Sequence, residues 1–259
     1  MAINFHDPAI NKGYASRQAS EDWKAYMLRL MGIKTFSQGV EIGCGGGIYS
    51  RALAEMGVLR VTGIDFSETM LETARKKNTQ LDQIDFQAGE AYNTGLKDGF
   101  ADIVLERAVL HHLEDLPKNF SEVNRILQKG GLFIIQDRTP EDCFLKGSPT
   151  HIRGFLFENF PHLAEMESKR RYKSSAVMNE LRSAGFSSIE EVSLWETRKI
   201  YESKGELLAD LRARTGRSIL HELTDRELDK YTMDVADRVP DGKIVEQDRW
   251  TVWMAVKNP

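Results

Sequence analysis

Eight consecutive residues, Val40-Glu41-Ile42-Gly43-Cys44-Gly45-Gly46-Gly47, concentrate the chemistry of this sequence. An apolar run carrying an acid enters a glycine turn, and a helix is expected behind it from Ile48 to about Met56, closed by Gly57. Glycine serves where a backbone must turn sharply, take positive φ or approach a ligand. The N-terminus of the following helix offers N–H groups and partial positive charge, suited to a carboxylate or phosphate. The corner therefore suits a nucleotide-type cofactor. A little over twenty residues beyond Gly43, Asp65 ends a second expected strand, Arg60–Ile64, where its carboxylate can accept both hydroxyls of a ribose. His111, His112 and His151 are the side chains whose ordinary pKa suits a general base, though each reads more readily as a satisfied structural histidine. No HxxxH spacing occurs, so no metal is expected.

The elements that must hold these residues alternate along the chain. Strands are expected at Ile84–Ala88, before Gly89-Glu90-Ala91; at Asp102–Leu105, before Glu106-Arg107-Ala108; and at Leu132–Gln136. A helix with Pro117 in its first turn presents Phe120, Val123 and Leu127 on one face. This alternation predicts an α/β fold with an open, mostly parallel sheet and ligands at the carboxyl ends of its strands. Residues 1–35 read as a helical lead-in, with Ala25, Leu28 and Met31 on one face and with Tyr14, Arg17 and Trp23 able to reach across the cofactor. Residues 36–137 form the cofactor-binding half. At 138–173 the alternation stops, two prolines and Phe155, Phe157 and Phe160 appear, and a lid insertion is expected. Residues 174–259 complete the sheet with strands near Ile189–Leu194 and Trp250–Val256. A helical insertion at about 203–238 starts twice on capping-box spacings, Ser203 with Glu206 and Thr224 with Glu227.

At 259 residues the chain can build one domain, 1–259, with a sizeable core. A net charge of −4 gives no global field for nucleic acid, so none is expected as a partner. Its densest basic run, Lys169-Arg170-Arg171-Tyr172-Lys173, reads as a solvated helix face. Two distant cysteines without CxxC spacing fit a reducing cytoplasm, with Cys44 as packing in the glycine turn. No stretch is long and apolar enough to span a bilayer and no signal-peptide pattern opens the sequence, so a cytoplasmic location without membrane partners is expected.

Together the glycine turn with its leading acid, Asp65, Val109-Leu110-His111-His112-Leu113, and Leu127-Gln128-Lys129-Gly130-Gly131 resemble the class I S-adenosylmethionine-dependent methyltransferases acting on small molecules. The resemblance runs from about Gly39 to Leu194. It implies a Rossmann-like seven-stranded sheet of order 3-2-1-4-5-7-6, S-adenosylmethionine as cofactor with S-adenosylhomocysteine as product, and a monomer or homodimer. By position it also implies that Gly43, Cys44, Gly45 and Gly47 cradle the methionine part and that Glu41 anchors its ammonium group. Asp65 would hold the ribose, Phe66 and Met70 would flank the adenine, and Gly89, Glu90 and Ala91 would meet its edge. Glu106, Arg107 and Ala108 would line the methionine end, with Tyr14 as part of the flap. Glu90 stands where aspartate is common, and Lys129 where proline is frequent. Arg138, Arg153, Tyr172, Trp195, Arg214 and Arg217 are available to a small-molecule acceptor. The Arg214-Thr215-Gly216-Arg217 turn is faintly similar to carboxylate-methylating relatives, which suggests an anionic one. A nicotinamide-dependent oxidoreductase would use a similar turn, but its GxGxxG needs glycine where Ile48 stands. A non-catalytic cofactor-binding protein on the same fold is the other alternative.

Overall fold

A computed structural model describes residues 18–259, so Tyr14 and Arg17 lie outside the described residues. The strands are β1 (Gln38–Ile42), β2 (Arg60–Asp65), β3 (Ile84–Ala88), β4 (Ala101–Arg107), β5 (Leu127–Asp137), β6 (Phe186–Tyr201) and β7 (Ile244–Lys257). They form one sheet of order β3-β2-β1-β4-β5-β7-β6, the Rossmann-like order expected. The first five pair in parallel and β7 runs antiparallel to β5. Val40, Ile42, Ile103, Val104, Phe133 and Ile135 are all buried, as strands covered on both faces require.

Helices α1 (Glu21–Met31), α2 (Ile48–Glu55), α3 (Glu68–Lys77) and α4 (Leu116–Ile126) precede β5. They are followed by α5 (Pro140–Cys143), α6 (Ile152–Asn159), α7 (Pro161–Lys169), α8 (Ser174–Ser183), α9 (Lys204–Arg212) and α10 (Asp225–Arg238). The described chain divides into two compact units. The sheet unit comprises residues 18–137, Lys173–Val192 and Thr251–Pro259. The helical unit comprises Arg138–Tyr172 and Ser193–Trp250 and has its own core, in which Phe155, Leu156, Leu163, Leu207, Leu220, Tyr231 and Val235 are buried together. Thr224 caps α10 with the full reciprocal box to Glu227. Ser203 caps α9, but Glu206 reaches back to the Glu202 N–H.

Several local expectations are corrected by packing. The buried face of α1 is Trp23, Met27 and Met31, at i, i+4 and i+8, while Leu28 stays exposed. Trp23 packs the helix on the sheet unit, the alternative to a flap: it is buried and its indole N–H donates to Gln136 Oε1 at 2.7 Å. β6 runs on to Tyr201; between Leu194 and Tyr201 its residues are exposed or partly buried, so no apolar run marks this extension in the sequence. In the basic run, Arg170 and Arg171 turn back onto buried Glu167 instead of forming a solvated face.

Candidate functional site

The sheet unit brings the glycine turn and the strand tips together through register. Gly43 and Cys44 N–H groups both donate to the Ile64 carbonyl, at 2.8 and 2.9 Å, which pins the turn to the end of β2. Gly43 has φ +72°, and a Cβ there would lie 2.5 Å from Val109 Cγ2. Gly47, the left-handed N-cap of α2, would place a Cβ 2.7 Å from the Phe86 ring. Both positions need glycine for conformation and for space.

Asp65 is oriented by this turn. Its Oδ2 accepts from the Gly45 N–H at 2.8 Å and its Oδ1 from the Ser67 N–H at 2.9 Å. Ser67 precedes α3 as expected but makes no side-chain cap of its own, so Asp65 orders that corner. The Phe66 ring beside it is exposed and Met70 is buried against the turn. In the sheet Asp65 pairs with Ala88, and its carbonyl accepts from Gly89 N–H at 3.1 Å, so the Gly89-Glu90-Ala91 turn adjoins it. Glu90 is exposed there and exchanges backbone hydrogen bonds with Asn93 at 3.0 Å.

Two buried acids lie at the ends of β1 and β4. Burial pushes the Glu41 carboxyl up to about 8, against the hydrogen bond it accepts from Ser50 Oγ. Arg107 lowers it slightly, with its guanidinium stacked 4.2 Å over the Tyr49 ring. Burial also pushes Glu106 up to about 8, although Asn119 Nδ2 donates to its Oε1 at 2.8 Å. The other Glu106 oxygen is buried without a partner. Ala108, next in line, has φ +56°, an uncommon value for a residue with a Cβ, and donates its N–H to the Gln136 carbonyl at 2.8 Å.

His111 and His112 occupy a three-residue 3-10 turn, Leu110–His112, with ring centroids 4.0 Å apart. They differ in partner and exposure. His111 Nδ1 lies 2.9 Å from Asp137 Oδ2, its backbone N–H donates to the same carboxylate, and Asp137 is buried at the end of β5. A carboxylate accepts, so Nδ1 carries a proton. His112 is exposed. Asp137 escaped the sequence reading although it ends a central strand, the position where that reading places ligands.

The remaining candidates belong to the helical unit. Arg138 donates to Asp248 at 2.6 Å and stacks 3.7 Å over Trp250. Arg153 donates to Glu167 at 2.6 Å. His151 is buried with the exposed Trp195 ring edge-on at 5.5 Å, and Tyr172 is partly buried. Arg214 bonds the Leu223 carbonyl and Asp225, both at 3.0 Å. Arg217 is committed to Asp210 at 2.8 Å and to Glu246 at 2.5 Å, with Tyr201 OH also within 3.1 Å.

The donor set fits an adenosyl cofactor: a fixed carboxylate for a diol, an aromatic face beside it, and a glycine turn opening a helix. Among the described residues no group of three or more His, Cys, Asp or Glu could hold a metal, and no helix is long and apolar enough to cross a membrane.

Residues 40–135 match the family model described as a methyltransferase domain. The demethylmenaquinone methyltransferase of Staphylococcus epidermidis is 30% identical over 43% of this chain and 47% of its own length. The chain spans less than half the length of the curated relatives it matches. Phosphoethanolamine N-methyltransferase 2 of Haemonchus contortus, solved with S-adenosyl-L-methionine, aligns over 100% of this chain and 61% of its own, with TM-score 0.63 and 19% identity. The [4+2]-cyclase SpnF shares the fold over 92% of this chain and 80% of its own, with TM-score 0.58 and 16% identity. Over residues 40–135 the chain is thus similar to a methyltransferase domain, and the solved structures share its fold.

Proposed function

We propose that this protein transfers a methyl group from S-adenosylmethionine to a small-molecule acceptor. The observation that carries the reading is Asp65, held by the Gly45 and Ser67 N–H groups at the tip of β2, beside the turn that opens α2. In this reading Asp65 takes the ribose hydroxyls, Phe66 and Met70 flank the adenine, and Glu90 with the Gly89–Ala91 backbone meets its edge. Gly43, Cys44, Gly45 and Gly47 lie under the methionine part, with Glu41 toward its ammonium and Glu106, Arg107 and Ala108 along that end. The bound sulfonium supplies an activated methyl carbon. The chain must then position the acceptor and, for an O–H or N–H acceptor, remove a proton.

His111 is the proposed base. Asp137 fixes its Nδ1–H and stabilises the imidazolium formed when Nε2 takes a proton, as the carboxylate does in a serine-protease triad. An anionic acceptor draws no support from Arg217, whose charge Asp210 and Glu246 already balance.

Thermal-shift and calorimetric titrations with S-adenosylmethionine, S-adenosylhomocysteine and NAD(P)H test the reading. Adenosyl ligand at a hundred times its Kd should stabilise the protein by about 2.7 kcal/mol, and Asp65→Ala should remove that response. A response confined to NAD(P)H would refute it.

A further inference from the structure

One amide of α4 joins the acid near the end of β4 to the turn beyond β3. Asn119 is fully buried, and its Nδ2 donates to Glu106 Oε1 at 2.8 Å and to the Ala91 carbonyl at 3.0 Å. A carbonyl only accepts, so Ala91 fixes which end of the amide carries the hydrogens. Asn119 Oδ1 and Glu106 Oε2 are left buried without a partner. They are the second heads of two groups that a hydrogen bond already joins, and with Glu106 ionised both are acceptors. Ionised Glu106 would thus orphan two buried acceptors together, and each such omission is costly in an interior. A proton on Oε2 meets both, since the acid O–H donates to Oδ1 while Nδ2 donates back to Oε1.

The surroundings favour that proton. The register neighbours of Glu106 are apolar, Ile42 on β1 and Ile135 on β5. Burial holds its carboxyl at about 8, with the Asn119 amide of α4 lowering it and the Asp137 carboxylate of β5 raising it. Asp137 is in turn held by His111.

We infer that Glu106 and Asn119 form a reciprocal acid–amide pair, and that Asn119 acts through it as a positioning residue, fixing the Gly89–Ala91 turn for an adenosyl ligand. When Oε2 gives up its proton it turns from donor to acceptor, repels Oδ1 and frees the amide from Ala91. Ligand affinity therefore falls as pH rises through the range in which Glu106 ionises. The link to the ligand rests on the function proposed above; the acid–amide pair does not.

The test uses the full chain labelled with 13C at glutamate Cδ, the Glu106 resonance being assigned by its loss in Glu106→Gln. The probe is 5′-methylthioadenosine, which carries the adenosine part and lacks the ammonium group that Glu41 would receive. Its Kd is measured by calorimetry from about pH 6 to about pH 9.5. The Glu106 resonance should be that of a neutral acid at pH 7 and should titrate near pH 8. Across the same step Kd should rise about fivefold. In Glu106→Gln an amide can donate to Oδ1 and accept from Nδ2 without a titrating proton, so the step should vanish. Asn119→Leu should bind about fivefold more weakly than the parent below the step. An ionised Glu106 at pH 7 would overturn the pair. A Kd that stays flat while Glu106 titrates, an equal step in Glu106→Gln, or parent-like binding in Asn119→Leu would overturn the positioning role. S-adenosylhomocysteine is titrated in parallel. If neither ligand binds while Glu106 titrates as stated, the cofactor reading falls and the positioning role with it, and the pair stands.

Discussion

Glu106 gives the sharpest physical test of the sheet unit. Burial at the end of β4 raises its carboxyl from an ordinary 4.5 to about 8, with Asp137 adding to the shift and Asn119 opposing it. Between those values the folded chain holds a proton that the unfolded chain has released, so stability must fall as pH rises through the window. Below about 4.5 both states are protonated, and above about 8 both are ionised. At about 1.36 kcal/mol per pH unit, the loss approaches ~5 kcal/mol at full ionisation. Glu106→Gln keeps an oxygen for Asn119 Nδ2 and cannot ionise. Its new amide hydrogens add a constant offset, so the slope with pH is the diagnostic quantity. Glu41 titrates in both proteins and cancels in their difference. Urea unfolding of parent and variant at pH 5, 6, 7, 8 and 9 should show the variant gaining steadily on the parent, by about 3 kcal/mol near pH 7. Parallel stability curves across that range would refute the reasoning.

Other expectations follow from the same geometry. Gly43→Ala places a methyl 2.5 Å from Val109 Cγ2 at φ +72°, and should cost about 2–4 kcal/mol in denaturant unfolding; a loss under about 0.5 kcal/mol would show that the turn tolerates a side chain. Glu41 is mostly protonated at pH 7 in the ligand-free chain. If it receives the cofactor's ammonium, calorimetry of S-adenosylhomocysteine in buffers of different ionisation enthalpy should report release of about one proton, and no buffer dependence would remove Glu41 from that role. His111→Gln should lower turnover of an O–H or N–H acceptor by about 10²–10⁴-fold while leaving S-adenosylhomocysteine binding intact. Unchanged turnover would mean that no base is needed there.

What the sequence disclosed and what it hid separate by range. The glycine turn, Asp65 and the Thr224 box are local signals: each residue's partner lies within about twenty positions, and its type is dictated by backbone geometry. The order of the sheet came with the family resemblance. Asp137 and His111 stand 26 residues apart on adjoining strand ends, and no spacing in either segment announces the pair. Arginines carry the same ambiguity in stronger form. A sequence cannot tell a guanidinium awaiting a ligand from one already balanced. Arg217 is balanced by Glu246, 29 residues later, and by Asp210. Arg153 is likewise paired, with Glu167, 14 residues later.

That difference makes the arginines informative once the partners are known. Buried charge persists only where it is paired, so a residue chosen for charge alone is most often already paired within the fold. The atoms that point to a ligand are those whose hydrogen-bond capacity the fold leaves unmet. By that criterion Arg217, whose charge Asp210 and Glu246 already balance, carries no argument for recognition. The criterion also yields an ordering that can be measured. Arg217→Ala leaves Glu246 with Arg198 at 3.0 Å and Tyr201 OH at 3.1 Å, and should destabilise the helical unit by about 2 kcal/mol. Arg214→Ala, whose carboxylate partner Asp225 is exposed, should cost about 1 kcal/mol or less. If Arg217→Ala unfolded no more readily than Arg214→Ala, burial of the paired carboxylate would not be what distinguishes the two.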